Sequence, residues 1–245
     1  MKRYLISFAY DATNYHGYQK QPNLKTVQSE IERALFEINN NKKVIIHSAS
    51  RTDKGVHALD QKAHFDLDVT ITPYKLKRAL NSKLPNDIHI NNAEEVNNDF
   101  HARYLAIKKE YVYILNMGEY NPIERNIVYQ YNKKLDTEEI KKAIKYFEGE
   151  HDFISFVSAE DKKDNNIRTI YETSVKVLND KLYIRFVGSG FLKYQVRNMV
   201  GTLIEVGSGK RKKEDIASIF KAKDRRKAGK TAKPEGLYLS KVFYK

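Results

Sequence analysis

Ser50-Arg51-Thr52-Asp53-Lys54-Gly55-Val56-His57-Ala58 is the stretch of this chain richest in residues able to do chemistry. It falls in a polar loop between two strand-like segments, where structural duty is light and function often sits. Arg51 and Lys54 flank Asp53. Nearby positive charge keeps a carboxylate ionised, so Asp53 is available as a nucleophile or a base. The same residues also suit an Asx-type turn, with Asp53 bonding local backbone N–H groups ahead of Gly55. A cation to match stands far along the chain. Lys193, Arg197 and Gly201 follow at steps of four in a helical stretch and share a face. Glycine inside a helix costs about 1 kcal/mol relative to alanine, and a group packed close beside Arg197 would explain it. An enclosed Arg197 needs an anion, either phosphate or carboxylate; in the open it is an ordinary solvated arginine. Tyr111 and Tyr113 lie two apart on a strand, on one face of it. There they either stack on unpaired bases or fill a core.

Other chemistries find no support. Gly207-Ser208-Gly209-Lys210 looks like a phosphate loop, yet the full spacing is missing and a helix precedes it rather than a strand. His57 and His64 are seven apart on a strand and alternate faces, and His101 has no local ligand partner, so no metal site is expected. Zero cysteines excludes a disulfide framework, thiolate zinc sites and a Cys nucleophile.

The elements that must position these residues read as alternating β and α. Arg3–Tyr10, Val44–His47, Ala58–Asp68 and Ile88–Glu95 read as strands. Between them, Thr26–Asn39 and Tyr74–Leu84 have helical spacing, the first with Thr26 as N-cap. The rhythm then repeats: a strand at Glu110–Asn116, a helix at Asp136–Phe147, strands near Ile170–Leu178 and Leu182–Val187 joined by Asn179-Asp180, helices at Phe191–Val206 and Lys213–Lys221, and a closing strand at Leu237–Phe243. The expected class is α+β, with an N-terminal domain over 1–104 carrying the Asp53 loop and a strongly basic C-terminal domain over 105–245. No run approaches the roughly 20 apolar residues of a membrane span. The N-terminus enters a strand without a signal region, and a cytosolic location is the simplest expectation.

The formal net charge of this 245-residue chain is +13, and it is uneven: residues 1–100 carry a net +2, and Ser208–Lys233 alone carries +8. Such a field concentrates polyanions, which makes nucleic acid the leading partner class, against the alternative of a merely solvated lysine-rich face. Lys210–Lys213 and Arg225–Lys230 are the expected backbone contacts.

Arg51-Thr52-Asp53-Lys54-Gly55-Val56-His57-Ala58 closely resembles the Arg-Thr-Asp-x-Gly-Val-His-Ala signature of the tRNA pseudouridine synthase A (TruA) family. The resemblance extends to Thr26-Val27-Gln28, Phe100-His101-Ala102-Arg103, Tyr111-Val112-Tyr113-Ile114, Gln195-Val196-Arg197-Asn198-Met199-Val200-Gly201 and Gly236-Leu237-Tyr238-Leu239. It implies two similar α+β halves whose antiparallel sheets join into one extended sheet, helices covering it and a basic cleft between the halves. It also implies a homodimer acting on tRNA, which isomerises uridine in the anticodon stem-loop without cofactor or metal. By matching position, Asp53 resembles the catalytic aspartate, Tyr111 the tyrosine against the flipped base, Arg197 the arginine paired with the carboxylate, and Arg51 the arginine that aids flipping. Two departures stand out: Lys54, where the family often has a small residue, and an altered proline position in Ala228–Gly236. The rival readings are an RNA-binding or RNA-folding paralogue without turnover, and a metal-dependent nuclease.

Overall fold

The computed structural model describes residues 1–158 and 165–245, which divide into two compact units: 1–107 with 238–245, and 108–237. Among the described residues there are ten strands and five α-helices, an α+β fold as expected.

In the first unit, β1 (Lys2–Tyr10) lies between β3 (His57–Leu67) and β4 (Ile88–Val96), antiparallel to both. β2 is only His47–Ser48 and pairs antiparallel with β3. The anticipated strand from Val44 is therefore shorter: buried Val44 and Ile46 alternate with exposed Ile45 and His47, but only the last of these joins the ladder. Helix α1 (Val27–Ile38) begins at Thr26, whose side chain accepts the Ser29 N–H while Ser29 answers the Thr26 backbone, a reciprocal N-terminal cap. Helix α2 (Pro73–Lys83) has Thr72 as cap and Pro73 at its first position, where a missing N–H goes unnoticed. The closing strand β10 (Leu237–Phe243) pairs parallel with β3, Tyr238 opposite His57 and Leu239 opposite Ala58. Residues 238–245 thus belong with the first unit rather than with the second half of the sequence.

The second unit is a sheet in the order β5 (Lys108–Asn116), β9 (Lys181–Gly188), β8 (Ile167–Leu178), β7 (Gly149–Asp152), with β6 (Tyr129–Gln130) parallel to β5. Asn179 and Asp180 join β8 to β9 with φ of +48° and +59°, the left-handed pair that a two-residue hairpin turn requires. Helix α3 (Thr137–Ala143) tightens into a 3-10 turn at Ile144–Phe147, so the expected helix is present in two forms. Helix α4 is Gln195–Gly207, four residues shorter at its start than the apolar spacing suggests, because Tyr194 stands at φ +63° and breaks the helical path. Helix α5 is Asp215–Ala222. Phe147, Phe153, Phe156 and Phe220 pack mutually with ring centroids 5.1–6.2 Å apart, and Phe186 joins them from β9 at 6.4 Å from Phe147.

Candidate active site

Asp53 lies half-buried in the connection from β2 to β3, between exposed Arg51 and Lys54. The backbone around it is held on both sides. Gln61, fully buried on β3, accepts the Ser50 N–H at 3.2 Å and donates to the Ser50 carbonyl at 2.9 Å. The buried Thr52 hydroxyl shares a 2.8 Å hydrogen bond with the Tyr10 hydroxyl, and the Thr52 carbonyl accepts the Tyr18 N–H at 3.1 Å. Gly17, at φ +93°, presses on the same stretch: a Cβ there would lie 3.2 Å from both the Lys54 nitrogen and the Thr52 carbonyl oxygen. The Val56 N–H closes the turn on the Asp53 backbone carbonyl at 3.1 Å, with Gly55 at φ +75°.

The histidines serve the scaffold. His57 is buried, stacked on Tyr238 at 4.9 Å, and its Nδ1 accepts the Ala12 N–H at 3.1 Å. The Asp11 carboxylate approaches the same nitrogen at 3.2 Å. His101, which lacks a neighbour in sequence, gains two in space: His64 lies 4.6 Å from it and 5.0 Å from His47. His64 Nδ1 accepts the Ala102 N–H at 3.1 Å, and burial, with His101 and His47 nearby, pushes its pKa down to about 4. Among the described residues no three His, Asp or Glu side chains are arranged to hold a metal ion.

In the second unit, Arg197 occupies the first turn of α4. Its Nε donates to the Ala232 carbonyl at 2.8 Å, the Ala232 N–H returns to the Arg197 carbonyl at 3.0 Å, and the guanidinium lies 5.0 Å from the centre of the Tyr194 ring. The group packed close against Gly201 is main chain. A Cβ on Gly201 would overlap the Lys230 carbonyl, and one on Gly229 would come within 2.7 Å of the Thr202 Cα. Tyr111, on β5 opposite Phe186, is buried, with its ring edge-on to Phe191 at 5.1 Å. Tyr113 on the same face is core: its hydroxyl donates to the Lys233 carbonyl at 2.8 Å, and burial raises its pKa well above the usual tyrosine value. Arg51 and Asp53 therefore share one loop of the first unit, and Tyr111 and Arg197 belong to the second.

The basic run is less available than its count suggests. Lys213 pairs with Glu139 at 3.0 Å and Glu214 at 3.2 Å, Arg211 with Glu205 at 2.9 Å, and Arg226 with Asp224 at 2.8 Å. Arg225 points inward to Asn198 and Thr231. Exposed Lys210, Lys212, Lys227 and Lys230 remain as the candidates for phosphate contact. Sequence reasoning also passed over Gln61, although its signal is legible: it shares the phase of Ala63, Phe65 and Leu67 on β3, a polar residue in a core register.

Comparison with known proteins extends over the whole chain. The family model described as tRNA pseudouridine synthase matches residues 6–105 and 143–245. The tRNA pseudouridine synthase A of Geobacillus sp. WCH70 is 44% identical over 244 residues, covering 99% of this chain and 98% of that protein. That of Exiguobacterium sp. AT1b is 46% identical, covering 100% and 98%, and that of Anoxybacillus flavithermus WK1 is 44% identical, covering 100% and 99%. The matched segments hold both the braced loop around Asp53 and the α4 face bearing Arg197, and the chain belongs to the tRNA pseudouridine synthase family.

Proposed function

We propose that this chain isomerises uridine to pseudouridine in the anticodon stem-loop of tRNA, with Asp53 as its catalytic carboxylate. The observation that carries this reading is the bracing of residues 50–56 from Gln61, Tyr10, Tyr18 and Gly17, which fixes the position of one half-buried carboxylate. In the reaction the N1–C1′ bond breaks, the uracil turns, C5 bonds to C1′, and the C5 proton leaves while N1 gains one. No oxidant or external group is consumed, so positioned side chains suffice. A carboxylate attacks the base or the sugar, or assists elimination at the ribose; each route needs it ionised and aimed. Arg197 is assigned as the cation that keeps that carboxylate charged. Its Nε is committed to Ala232, so its terminal nitrogens would meet the anion. Tyr111, backed by Phe191, is assigned as the ring against which the detached uracil turns, and Arg51 as the group that aids extrusion of the base. Extrusion from a stem costs a few kcal/mol, which contacts to phosphate offset. The family resemblance supports a cytoplasmic homodimer working without metal or cofactor.

Release of tritium from tRNA labelled at uridine C5, with EDTA present, tests the proposal. Release in chelator is the expected result. Binding without release would establish a non-catalytic RNA-binding protein instead, and chelator-sensitive strand cleavage a nuclease.

A further inference from the structure

Asn198 follows Arg197 on α4, but it faces inward and is fully buried. Its amide is satisfied in only one orientation. The Nδ2 donates to the Phe156 carbonyl at 2.7 Å, and the Oδ1 accepts from the Thr231 hydroxyl at 2.7 Å and from Arg225 Nη2 at 2.8 Å. The two donors lie at either end of one stretch of chain, residues 225–231, which crosses α4. Between them the Gly229 N–H donates to the Thr202 hydroxyl at 2.9 Å, itself bonded to the Asn198 carbonyl at 2.9 Å. Glycines at 201 and 229 let helix and strap touch backbone to backbone. One residue beyond Thr231, the strap delivers the Ala232 carbonyl to Arg197 Nε at 2.8 Å.

We infer that Asn198 is a positioning residue for Arg197: by holding Thr231 and Arg225 it fixes the strap whose Ala232 carbonyl sets the guanidinium. The inference rests on the assignment of Arg197 to the reaction made above. A buried amide with three strong partners is more than packing requires at this point, since an apolar residue of similar size would fill the space without obliging two distant donors to converge. An arginine side chain has several rotatable bonds, and a fixed acceptor on Nε, with the Tyr194 ring 5.0 Å away, restricts its arrangements. Loss of the strap's anchor leaves the charge present and removes a fixed contact that directs it. Misplacement of this kind reduces rate rather than binding.

Thr231 is exposed, so its variants test the idea without threatening the core. Thr231→Val keeps the shape and removes the donor to Asn198; Thr231→Ser keeps the donor. Turnover and KM are measured on tRNA for both variants, for Arg197→Ala, and for Arg197→Ala combined with Thr231→Val. We expect Thr231→Val to lower the saturating rate about tenfold or more with KM within roughly twofold, Thr231→Ser to stay near wild type, and Thr231→Val to add nothing once Arg197 is alanine. Equal rates for Thr231→Val and wild type, with Arg197→Ala impaired, overturn the inference and leave the role of Arg197 standing. A Thr231→Val effect that persists in the Arg197→Ala background also overturns it, because the hydroxyl then acts elsewhere. A wild-type saturating rate for Arg197→Ala removes the underlying assignment itself. Arg225→Lys, which retains charge but loses the planar fork, serves as a second perturbation of the same anchor and is expected to reproduce the rate loss.

Discussion

Asp53 brings charge to its loop, and its neighbours bring position. Asp53→Asn keeps the side-chain shape and removes a negative charge, so binding of a polyanion has no reason to weaken. The expected outcome is tRNA affinity within several-fold of wild type and turnover below a tenth, measured by filter binding and tritium release. Retention of a tenth or more of the rate would remove the catalytic assignment. Gly201 makes the opposite kind of prediction, for stability. A methyl group at Gly201 overlaps the Lys230 carbonyl, which belongs to backbone and cannot rotate away. Gly201→Ala should cost about 3 kcal/mol or more in urea unfolding, and a loss under 1 kcal/mol would mean that the strap lifts easily from α4.

At the scale of elements, the clamp from β3 to the loop is open to a clean test. Gln61→Leu preserves volume and removes the two hydrogen bonds that Gln61 makes to Ser50. The expected loss is about 2–3 kcal/mol of stability together with a lower saturating rate, read by urea unfolding and turnover on the same sample. A full wild-type rate would show that the loop keeps its geometry without the clamp. His64 tests β3 at a second point. Its folded pKa of about 4 lies below the ordinary 6.5, so the folded state binds fewer protons than the unfolded state between those values. Stability therefore falls as pH drops from about 6.5 toward 4, and is free of this penalty above 6.5. The groups facing it are His47, His101, Arg3 and Asp66, and of these only Asp66 favours its protonation. His64→Asn, which offers an oxygen where Nδ1 accepts the Ala102 N–H, should flatten the dependence of Tm on pH in that window; an unchanged slope would place the titration in other groups. These elements also mark what could be read from sequence. Periodicity finds α1, α2 and the β8–β9 hairpin because local rules decide them: a reciprocal cap at Thr26, a proline at 73, and two residues that tolerate positive φ at 179 and 180. It misplaces the start of α4, since nothing local announces that Tyr194 takes a left-handed conformation. It over-extends β2 because alternation reports burial and not pairing. In the candidate site, Asp53 and Arg197 stand out by residue type and spacing. Gln61 shows only as a polar residue in a core register, and Asn198 does not show at all, because an amide's value depends on partners that only tertiary structure brings near.

Charge is a property of the molecule as a whole, and the structure redistributes it. Of the basic side chains in residues 208–233, Arg211, Lys213 and Arg226 are engaged by ion pairs with Glu205, Glu139 and Glu214, and Asp224. Replacing exposed Lys210 and Lys227 together by alanine should weaken binding to all RNAs alike and flatten the dependence of log affinity on log salt by about one unit or more, with the saturating rate little changed. Unchanged affinity across a salt series would show a solvated face. Replacing Lys213, whose ammonium is shared between Glu139 and Glu214, should instead register in Tm. One last feature bears on how the protein comes into being. The strand lying parallel to the start of β3, at His57 and Ala58, comes from residues 237–243, made only after all of the second unit. The Ile107 N–H on the Phe243 carbonyl at 2.9 Å and the Tyr244 hydroxyl on the Ala102 carbonyl at 2.7 Å close the same unit. A nascent chain interrupted anywhere before residue 237 therefore leaves the ribosome with the sheet behind the Asp53 loop unfinished, so prematurely terminated products should lack a settled Asp53 loop and offer that open strand edge to proteases.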